Sequence, residues 1–301
     1  MKHGGGTGSM DGVSTRIRPS IGGRFGRKAV HGGPERRLFM ASALLVALLA
    51  VVSVFAPFFT PYGMNEIDLD NINAGPGPGH VLGTDELGRD LFARLLFGGR
   101  FSLMIAFASV SIAVVTGIVL GGAAGYFGGA VDRMITGLID VFLSIPVFLV
   151  LLVAASAAGG SILMIPVIIG ATTWMETART VRARFMQLGN EEYVQAARSI
   201  GAGDRSIFLR HILPQALMPV TVAATSGFAG AMLIESSLSF LGFGIQPPLP
   251  SWGNMLHNAQ SLIRVSPLAA FAPGFLIFMS CLAFNFIAAR LKRVLARDVR
   301  G

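Results

Sequence analysis

Long stretches of this chain contain no charged residue, and this feature restricts its fold more than any other. Residues 38–59, 101–131 and 141–175 have no Asp, Glu, Lys or Arg. About 20 apolar residues in an α-helix, each rising ~1.5 Å, cross the ~30 Å hydrocarbon core of a bilayer. Charged residues make up 13% of the 301-residue chain, whereas about 25% is usual in soluble domains. The sequence therefore predicts an all-α membrane protein.

The uncharged runs predict six transmembrane helices. They are placed at residues 38–59, at 101–131, in each half of 141–175, at 214–242 and at 267–289. The third run is too long for one helix, so we expect two helices that meet at Gly159–Gly160 and extend past Asp140 and Glu176. Pro146 and Pro166 fall inside these two helices, and we expect each proline to kink its helix.

Polar segments divide the chain into five predicted parts. These are a disordered cytoplasmic tail (1–37), the first transmembrane helix (38–59), an extracytoplasmic loop (60–100), a core of five helices (101–290) and a cytoplasmic C-terminal tail (291–301). The N-terminal tail has eight basic residues, two acids and several glycine runs, so it is too polar to form a core.

The end of the extracytoplasmic loop contains an amphipathic stretch that begins at Arg89 and Asp90. Its apolar residues are Leu91, Phe92, Leu95 and Leu96. We expect this stretch to form a helix that lies flat on the outer membrane interface, with its apolar face towards the lipid.

Basic residues are concentrated on one side of the predicted bundle. Both termini, the loop around Arg133 and the polar segment at 176–213 share that side, which holds 20 of the 24 Lys and Arg residues. Lys and Arg favour the cytoplasmic side of a membrane. We therefore expect a multi-pass protein of the cytoplasmic (inner) membrane with both termini in the cytoplasm. The net charge of +8 then reports topology and does not indicate binding to nucleic acid.

The chain lacks the motifs of an enzyme or of a cofactor site. Cys281 is its single cysteine and its five histidines are scattered, so no Cys/His metal site is evident. It contains no G-x-x-x-x-G-K-[ST], H-E-x-x-H or G-x-S-x-G. We expect a chain that is not an enzyme, binds no cofactor or metal, and does not itself hydrolyse ATP.

The polar segment between the fourth and fifth predicted helices has the pattern of a short helix and a turn. Residues 190–201 read NEEYVQAARSIG. Asn190 is placed as an N-cap, two glutamates occupy the first turn, and Gly201 is placed to end the helix in the left-handed region. A second short helix is predicted from Asp204 to Leu213, because proline follows. About 30 ordered residues exceed what a connection needs, which indicates a functional loop.

Part of this segment resembles the EAA loop of ATP-binding-cassette (ABC) importer permeases. The resemblance rests on Gln-Ala-Ala at 195–197, Gly201 and His-Ile-Leu-Pro at 211–214, an ending typical of the peptide and nickel permease group. The family has Glu where this chain has Gln195, which keeps the hydrogen-bonding capacity and loses the charge. We therefore do not expect an ion pair from this position to be required.

Two further motifs are similar to those of dipeptide and oligopeptide permease C-type subunits. Residues 82–90 read LGTDELGRD and lead into GRFSL at 99–103, while residues 238–244 read LSFLGFG, with Ser-Trp-Gly following at 251–253. The resemblance covers about residues 80–290. It implies a type I (MetI-like) ABC importer permease core of transmembrane helices with a cytoplasmic coupling helix.

The resemblance also implies how the chain is driven and by which partners. In the family, the loop that corresponds to 182–213 docks on a cytoplasmic ATPase subunit. The residues assigned to this coupling are Glu192, Gln195, Ala196, Ala197, Arg198, Gly201, Arg205, Arg210, His211 and Pro214. The implied partners are a homologous second permease, one or two ATPase subunits that bind ATP and Mg²⁺, an extracytoplasmic solute-binding protein and the lipid bilayer.

The implied cargo is a dipeptide or an oligopeptide. Nickel, other metal chelates, haem and sugars are alternatives, because the binding protein largely selects the substrate. A secondary transporter is an alternative from a different class, although the sequence shows neither an inverted repeat nor a paired carboxylate near the midplane.

Acidic residues within the predicted helices are candidates for the transport pathway or its gate. Glu235 falls near the outer mouth, where it either lines the path or belongs to a packing network. Asp140 and Glu176 fall near the cytoplasmic interface, where we expect structural ion pairs with Arg133 or Arg179.

Glycine recurs at every fourth position of the second predicted helix, at Gly117, Gly121, Gly125 and Gly129. Such a stripe lets another helix approach closely. The sequence leaves open whether that neighbour belongs to this chain or to the partner permease.

Overall fold

The computed structural model describes residues 34–264 and 266–298, and this part of the chain is a bundle of helices. The helices are α1 Pro34–Val54, α2 Leu91–Phe127, α3 Gly129–Ser144, α4 Val147–Ala157, α5 Met164–Leu188, α6 Glu192–Ser199, α7 Asp204–Ser206, α8 Leu213–Phe240, α9 Trp252–Leu262 and α10 Pro267–Asp298. A π-helical segment, Ile207–Ile212, joins α7 to α8. The all-α prediction is confirmed. The predicted N-terminal tail lies outside the described residues up to residue 33, and α10 extends beyond the predicted boundary at residue 290.

The chain passes six times between the two ends of this bundle. We call the end formed by residues 55–90 and α9 the loop end, and the opposite end, which carries α6, the α6 end. α1, α3 with α4, and α8 run towards the loop end, while α2, α5 and α10 run back. At the loop end Arg100 donates a hydrogen bond to the carbonyl of Val54 (3.4 Å), and at the α6 end Arg290 pairs with Glu35 (3.2 Å).

Most of these passes have the length and composition of a membrane span. Four described segments qualify, namely Glu35–Val54, Leu91–Phe127, Asp204–Phe240 and Pro267–Leu295, and α3 with α4 makes a fifth if the bent pair counts as one span. α5 makes the remaining pass, but its second half carries Glu176 and three arginines. Four segments, or five with the bent pair, meet the requirements of a span, so the predicted number of six is not confirmed exactly and the span of α5 stays a prediction.

The glycine stripe of α2 packs against α5 of the same chain. A Cβ atom added at Gly117 would lie 2.6 Å from the Cβ of Thr177, and Gly121 meets the backbone of Ala178 in the same way. Gly129 belongs to α3 and has no such neighbour within 4 Å. The stripe therefore serves close packing within this subunit, which is one of the two interpretations that the sequence left open.

The third pass is broken at Pro146. α3 ends at Ser144 and α4 begins at Val147, and the two helices meet at 85°. Proline lacks an N–H group and disrupts a helix interior, so the predicted kink is confirmed here. The kink predicted at Pro166 is wrong, because this proline lies in the first turn of α5, where no backbone bond is lost. The predicted turn at Gly159–Gly160 is confirmed by positive φ angles of 62° and 73°.

α2 begins earlier than predicted, and the predicted interfacial helix is wrong. Residues 91–96 form the first turns of α2, which Asp90 caps by accepting a hydrogen bond from the N–H of Ala93 (2.6 Å). Leu91 and Leu95 are buried in the main core together with Trp252 of α9. The apolar face that would meet lipid at the interface is covered by protein.

Two boundaries near α6 also differ from the prediction. The N-cap of α6 is Glu191 and not Asn190. The helix that begins at Asp204 does not end at Leu213 but continues through the π-helical segment into α8. The wider π turn moves the preceding carbonyl groups, so Pro214 fits without breaking the helix.

Candidate functional site

The α6 end presents a short helix on the outside of the bundle. α6 has an apolar side on which Val194 is buried in one cluster with Ile207 and Ile212 of the π-helical segment, and Ala197 is also buried. Its outward side carries Glu192, Gln195, Ala196 and Arg198. Packing on one side thus fixes α6 to the bundle while the polar side stays accessible.

Hydrogen bonds connect α6 to the segment that precedes it and to the π-helical segment that follows it. The Gln195 amide donates to the carbonyl of Gly189 (3.1 Å), a bond that a carboxylate at this position could not donate. The Tyr193 hydroxyl donates to the carbonyl of His211 (3.4 Å). Burial, and secondly the charge of Glu191, raise the pKa of Tyr193, so the hydroxyl keeps its proton at neutral pH.

Gly201 ends α6 and turns the chain towards α7. Its φ angle is 87°, in the left-handed region that glycine adopts without strain, as the sequence predicts. The N–H of Ala202 donates to the carbonyl of Ala197 (3.0 Å) and closes the turn. The turn leaves the side chain of Ile200 87% exposed.

The remaining predicted coupling residues lie on the π-helical segment and on its flanks. Arg205, Arg210 and Pro214 are exposed, and His211 is partly buried with its Nδ1 atom 3.1 Å from the carbonyl oxygen of Ser206. All ten predicted residues therefore lie in one region. Ala197 differs from the others in orientation, because it is buried and faces the bundle.

An aromatic cluster that the sequence analysis missed supports this region from inside. Phe208 of the π-helical segment lies between Tyr126 and Phe185, with ring centroids 5.5 and 4.8 Å away. Tyr126 also donates a hydrogen bond to Asp204 (2.6 Å), and the guanidinium of Arg198 lies 5.9 Å from its ring centroid. The ends of α2, α5 and α6 thereby contact one another through Tyr126 and Phe208.

A cavity of about 1040 Å³ lies between α2, α5 and α8. Its lining is mostly apolar and includes two charged residues, Glu176 and Lys292. Asp140, by contrast, pairs with Arg179 (2.8 Å), as the sequence predicts. The ion pair predicted for Glu176 is not formed with Arg133 or with Arg179, so Glu176 is the predicted acid that faces the cavity.

Glu235 lies at the loop end and is 0% exposed. Its carboxylate accepts hydrogen bonds from the hydroxyl groups of Ser239 (2.8 Å), Ser102 (3.2 Å) and Ser236 (3.4 Å). It does not line the cavity. Of the two roles that the sequence left open, this geometry fits the packing network, because the carboxylate connects α8 to α2.

Trp252 connects α9 to α2 beside the buried Glu235. The side chain is 1% exposed, its Nε1 atom donates to the carbonyl of Leu95 (2.9 Å), and its backbone N–H donates to the hydroxyl of Ser102 (3.2 Å). A Cβ atom at Gly99 would lie 2.8 Å from the indole ring. The segments GRFSL, LSFLGFG and SWG thus meet around Glu235, a contact that no sequence spacing reveals.

The LGTDELGRD segment forms a compact turn in front of α2. Asp85 pairs with Arg89 (2.7 Å) and lies 3.7 Å from Arg94, while Asp90 accepts a bond from His80 (2.9 Å) if the ring carries its proton on Nδ1. Arg94 is only 2% exposed and donates to the carbonyl of Met64 (3.0 Å). The motif therefore anchors the long polar loop to α2.

The described helices form a bundle with a mostly apolar cavity, a buried polar cluster at one end and an exposed helix at the other, and the length of its apolar helices is that of a multi-pass membrane protein. Residues 117–301 match the family described as binding-protein-dependent transport system inner membrane component, and residues 35–76 match the N-terminal transmembrane domain of oligopeptide transport permease C. The chain belongs to the family of binding-protein-dependent transport system inner membrane components. This confirms the resemblance seen in the sequence, and it makes the chain a permease component and not an enzyme.

Two relatives agree with this assignment, and one solved structure shares the fold. The chain is 37% identical to the glutathione transport system permease protein GsiD of Pectobacterium atrosepticum over 262 residues, 87% of each chain. It is 34% identical to the dipeptide transport system permease protein DppC of Alkalihalophilus pseudofirmus over 269 residues, 89% of this chain and 88% of that one. A crystal structure of an amino acid ABC transporter with histidines shares the fold, with a TM-score of 0.50 and 17% identity, over 67% of this chain and 94% of that chain.

Proposed function

We propose that this chain is one of two permease subunits in an ATP-driven importer of dipeptides or oligopeptides. The similarity to a dipeptide permease and to a glutathione permease, over nearly the whole chain, carries this proposal. Glutathione is a tripeptide, so both relatives are named for short peptides. Membership of a binding-protein-dependent family leaves no support for the secondary transporter.

In this proposal the α6 end faces the cytoplasm and the loop end faces outward. The α6 end carries exposed arginines on α6, α7 and the π-helical segment, and Lys and Arg favour the cytoplasmic side. The protein then lies in the cytoplasmic membrane with both termini in the cytoplasm. The loop end, with its long polar segment, is the side on which a solute-binding protein delivers the peptide.

The driving subunits dock on the outward side of α6. Separate ATPase subunits bind ATP and Mg²⁺, and this chain offers them the exposed residues Glu192, Gln195, Ala196, Arg198 and Ile200. A homologous second permease completes the path.

A continuous helix transmits the movement across the membrane. Force on α6 reaches the π-helical segment through Val194, which packs against Ile207 and Ile212. The segment Asp204–Phe240 is 37 residues long, which corresponds to about 55 Å at 1.5 Å per residue. Its far end holds Glu235 in the polar cluster. Movement at the α6 end therefore changes the position of α8 along the cavity.

The test is peptide uptake by the complete complex. The chain is purified in mild detergent with the subunits that accompany it, reconstituted in proteoliposomes with the binding protein, and supplied with labelled dipeptide and tripeptide. We expect accumulation that requires ATP and that stops when the ATPase subunit is inactivated. Purification without any ATPase subunit would contradict the importer, and uptake of nickel, a chelate, haem or a sugar in place of peptide would contradict the substrate class.

A further inference from the structure

The cavity between α2, α5 and α8 has a lining that fits one class of ligand. We propose that it receives a transported peptide with the peptide's ammonium group at Glu176 and the peptide's carboxylate at Lys292. This proposal rests on the proposed function and deepens it, because it assigns the residues of the pathway that recognise the two ends of the cargo.

The size of the cavity indicates recognition of groups that all peptides share. Its volume is about 1040 Å³, just above the ~300–1,000 Å³ of pockets that enclose drug-sized ligands. Small residues of α8, among them Gly227, Gly230 and Ala231, border it. A dipeptide or tripeptide fits with room to spare, so the walls cannot select peptide side chains by shape.

Three of the four threonine hydroxyl groups in the wall formed by α5, all except that of Thr177, are available only as hydrogen-bond acceptors. Thr172 and Thr173 donate to the carbonyl of Ile169 (3.0 and 2.8 Å), and Thr180 donates to the carbonyl of Glu176 (2.9 Å). A threonine hydroxyl has one hydrogen, so these groups present oxygen lone pairs to a ligand. This wall favours ligand groups that donate, such as an ammonium or a peptide N–H group.

Glu176 adds an available negative charge to the same wall. The nearby acids are already neutralised, since Asp140 pairs with Arg179 and Asp132 pairs with Arg182. The carboxylate of Glu176 makes neither a hydrogen bond nor an ion pair with any described residue. An ammonium group entering the cavity therefore meets a carboxylate that is free to form a charge-assisted hydrogen bond.

Lys292 supplies the opposite charge from another wall. It belongs to α10 and lines the cavity together with Leu295, close to the α6 end, where Arg290 and Arg293 pair with Glu35. A free peptide at neutral pH has one positive and one negative end. Two opposite charges in a mostly apolar cavity match this pattern without any contact to the peptide side chains.

The test measures how well peptides protect a cysteine placed in the cavity. Cys281, the single cysteine of the chain, is replaced by Ser, and Ser226 in the lining is replaced by Cys. The purified complex reacts with a maleimide in the presence of tri-alanine, N-acetyl-tri-alanine or tri-alanine amide, and labelling of this chain is followed over time. The binding protein is omitted, so its own selectivity does not enter.

We expect tri-alanine to slow the labelling. The N-acetylated and the amidated peptide should each need an about tenfold higher concentration for equal protection, because each has lost one charge-assisted contact. In Glu176→Gln the free and N-acetylated peptides should protect equally. In Lys292→Gln the free and amidated peptides should protect equally. Glu86→Gln removes an acid at the loop end and is the matched control, in which both preferences should remain.

Equal protection by all three peptides before Glu176 or Lys292 is changed would overturn the proposal, as would a Glu176→Gln variant that still prefers the free peptide. Uptake by the reconstituted complex separates this result from the proposed function. Import of peptide without any difference in protection refutes the site and leaves the function intact. Protection by tri-alanine in a complex that imports no peptide refutes the function and leaves the site intact.

Discussion

The two ends of the bundle differ in the burial of their polar side chains. At the loop end Arg94, Glu235 and Trp252 are almost inaccessible, and each makes a hydrogen bond to a residue on a different element. At the α6 end the arginines of α6 and its flanks are exposed, and the Asp140–Arg179 pair is also accessible. Buried and mutually bonded polar groups fix the elements that carry them, whereas exposed ion pairs contribute little to stability.

The comparison separates two tasks within one subunit. The loop end holds α2, α8 and α9 together as one unit, and the α6 end presents a surface to a partner. Substitutions at the loop end should therefore lower the stability of the fold, and substitutions at the α6 end should leave the fold intact and change the transport cycle. We expect variants at the two ends to differ in stability accordingly.

Trp252→Ala should cause the largest loss. The fully packed indole ring and its bond to Leu95 disappear, and truncation of a buried aromatic side chain costs about 3–5 kcal/mol. The free energy of unfolding, measured by titration with SDS in mixed micelles, reports the change. Phe58→Ala is the control, because that ring is 84% exposed, and its stability should be close to that of the unchanged protein. Equal losses in the two variants would contradict the special role of the loop end.

Glu235→Ala should cost about 1–3 kcal/mol, because Ser102 and Ser239 lose a buried acceptor. Glu235→Gln keeps one amide oxygen as an acceptor for the serine hydroxyls and should lose clearly less. The same unfolding titration measures both variants. If Gln destabilised the protein as much as Ala, the hydrogen bonds to the carboxylate would not be the source of the stability.

Gly201→Ala tests whether the turn at the α6 end is needed to couple ATP hydrolysis to peptide uptake. An alanine held at a φ angle of 87° costs about 1 kcal/mol of local strain, which shifts α6 and should reduce peptide uptake per ATP hydrolysed. Gly203→Ala is the matched control two residues away, since its φ is −72° and no atom of the described residues lies within 4 Å of the added Cβ. Uptake and ATP hydrolysis are measured together in proteoliposomes. Normal uptake per ATP in Gly201→Ala would argue against coupling through this turn.

Asp140→Asn should have the smallest effect on stability. The pair with Arg179 is accessible to solvent on both sides, and such pairs contribute about 0.2–1 kcal/mol. A double-mutant cycle with Arg179→Gln isolates the interaction. A coupling energy as large as the loss in Glu235→Ala would remove the contrast between the two ends.

The sequence predicts the parts of this fold that depend on local signals. The first helix, the turn at Gly159–Gly160, the helix α6 and the left-handed Gly201 each follow from composition or from the conformational freedom of a single residue. The motifs at both ends also lead to the correct family. These signals are local because backbone conformation and apolar run length are properties of a few neighbouring residues.

The errors arise where the outcome depends on a distant part of the chain. The apolar spacing of Leu91 and Leu95 suits an interfacial helix and a core helix equally well, and the contact with Trp252 decides between them. The partner of Glu235 on α2 is Ser102, 133 residues away along the chain. The continuation of α7 into α8 depends on the π-helical segment before Pro214, in which Phe208 packs against Tyr126 and Phe185 from distant helices.

The contact of Glu35 with Arg290 and Arg293 makes the described chain almost a closed ring, because its first and last helices meet at the same end of the bundle. A short linker between these helices, with new termini opened in the exposed segment 75–79, would give a circular permutant that keeps every helix–helix contact described above. We expect such a permutant to fold, because the ion pairs already hold the first and last described helices together.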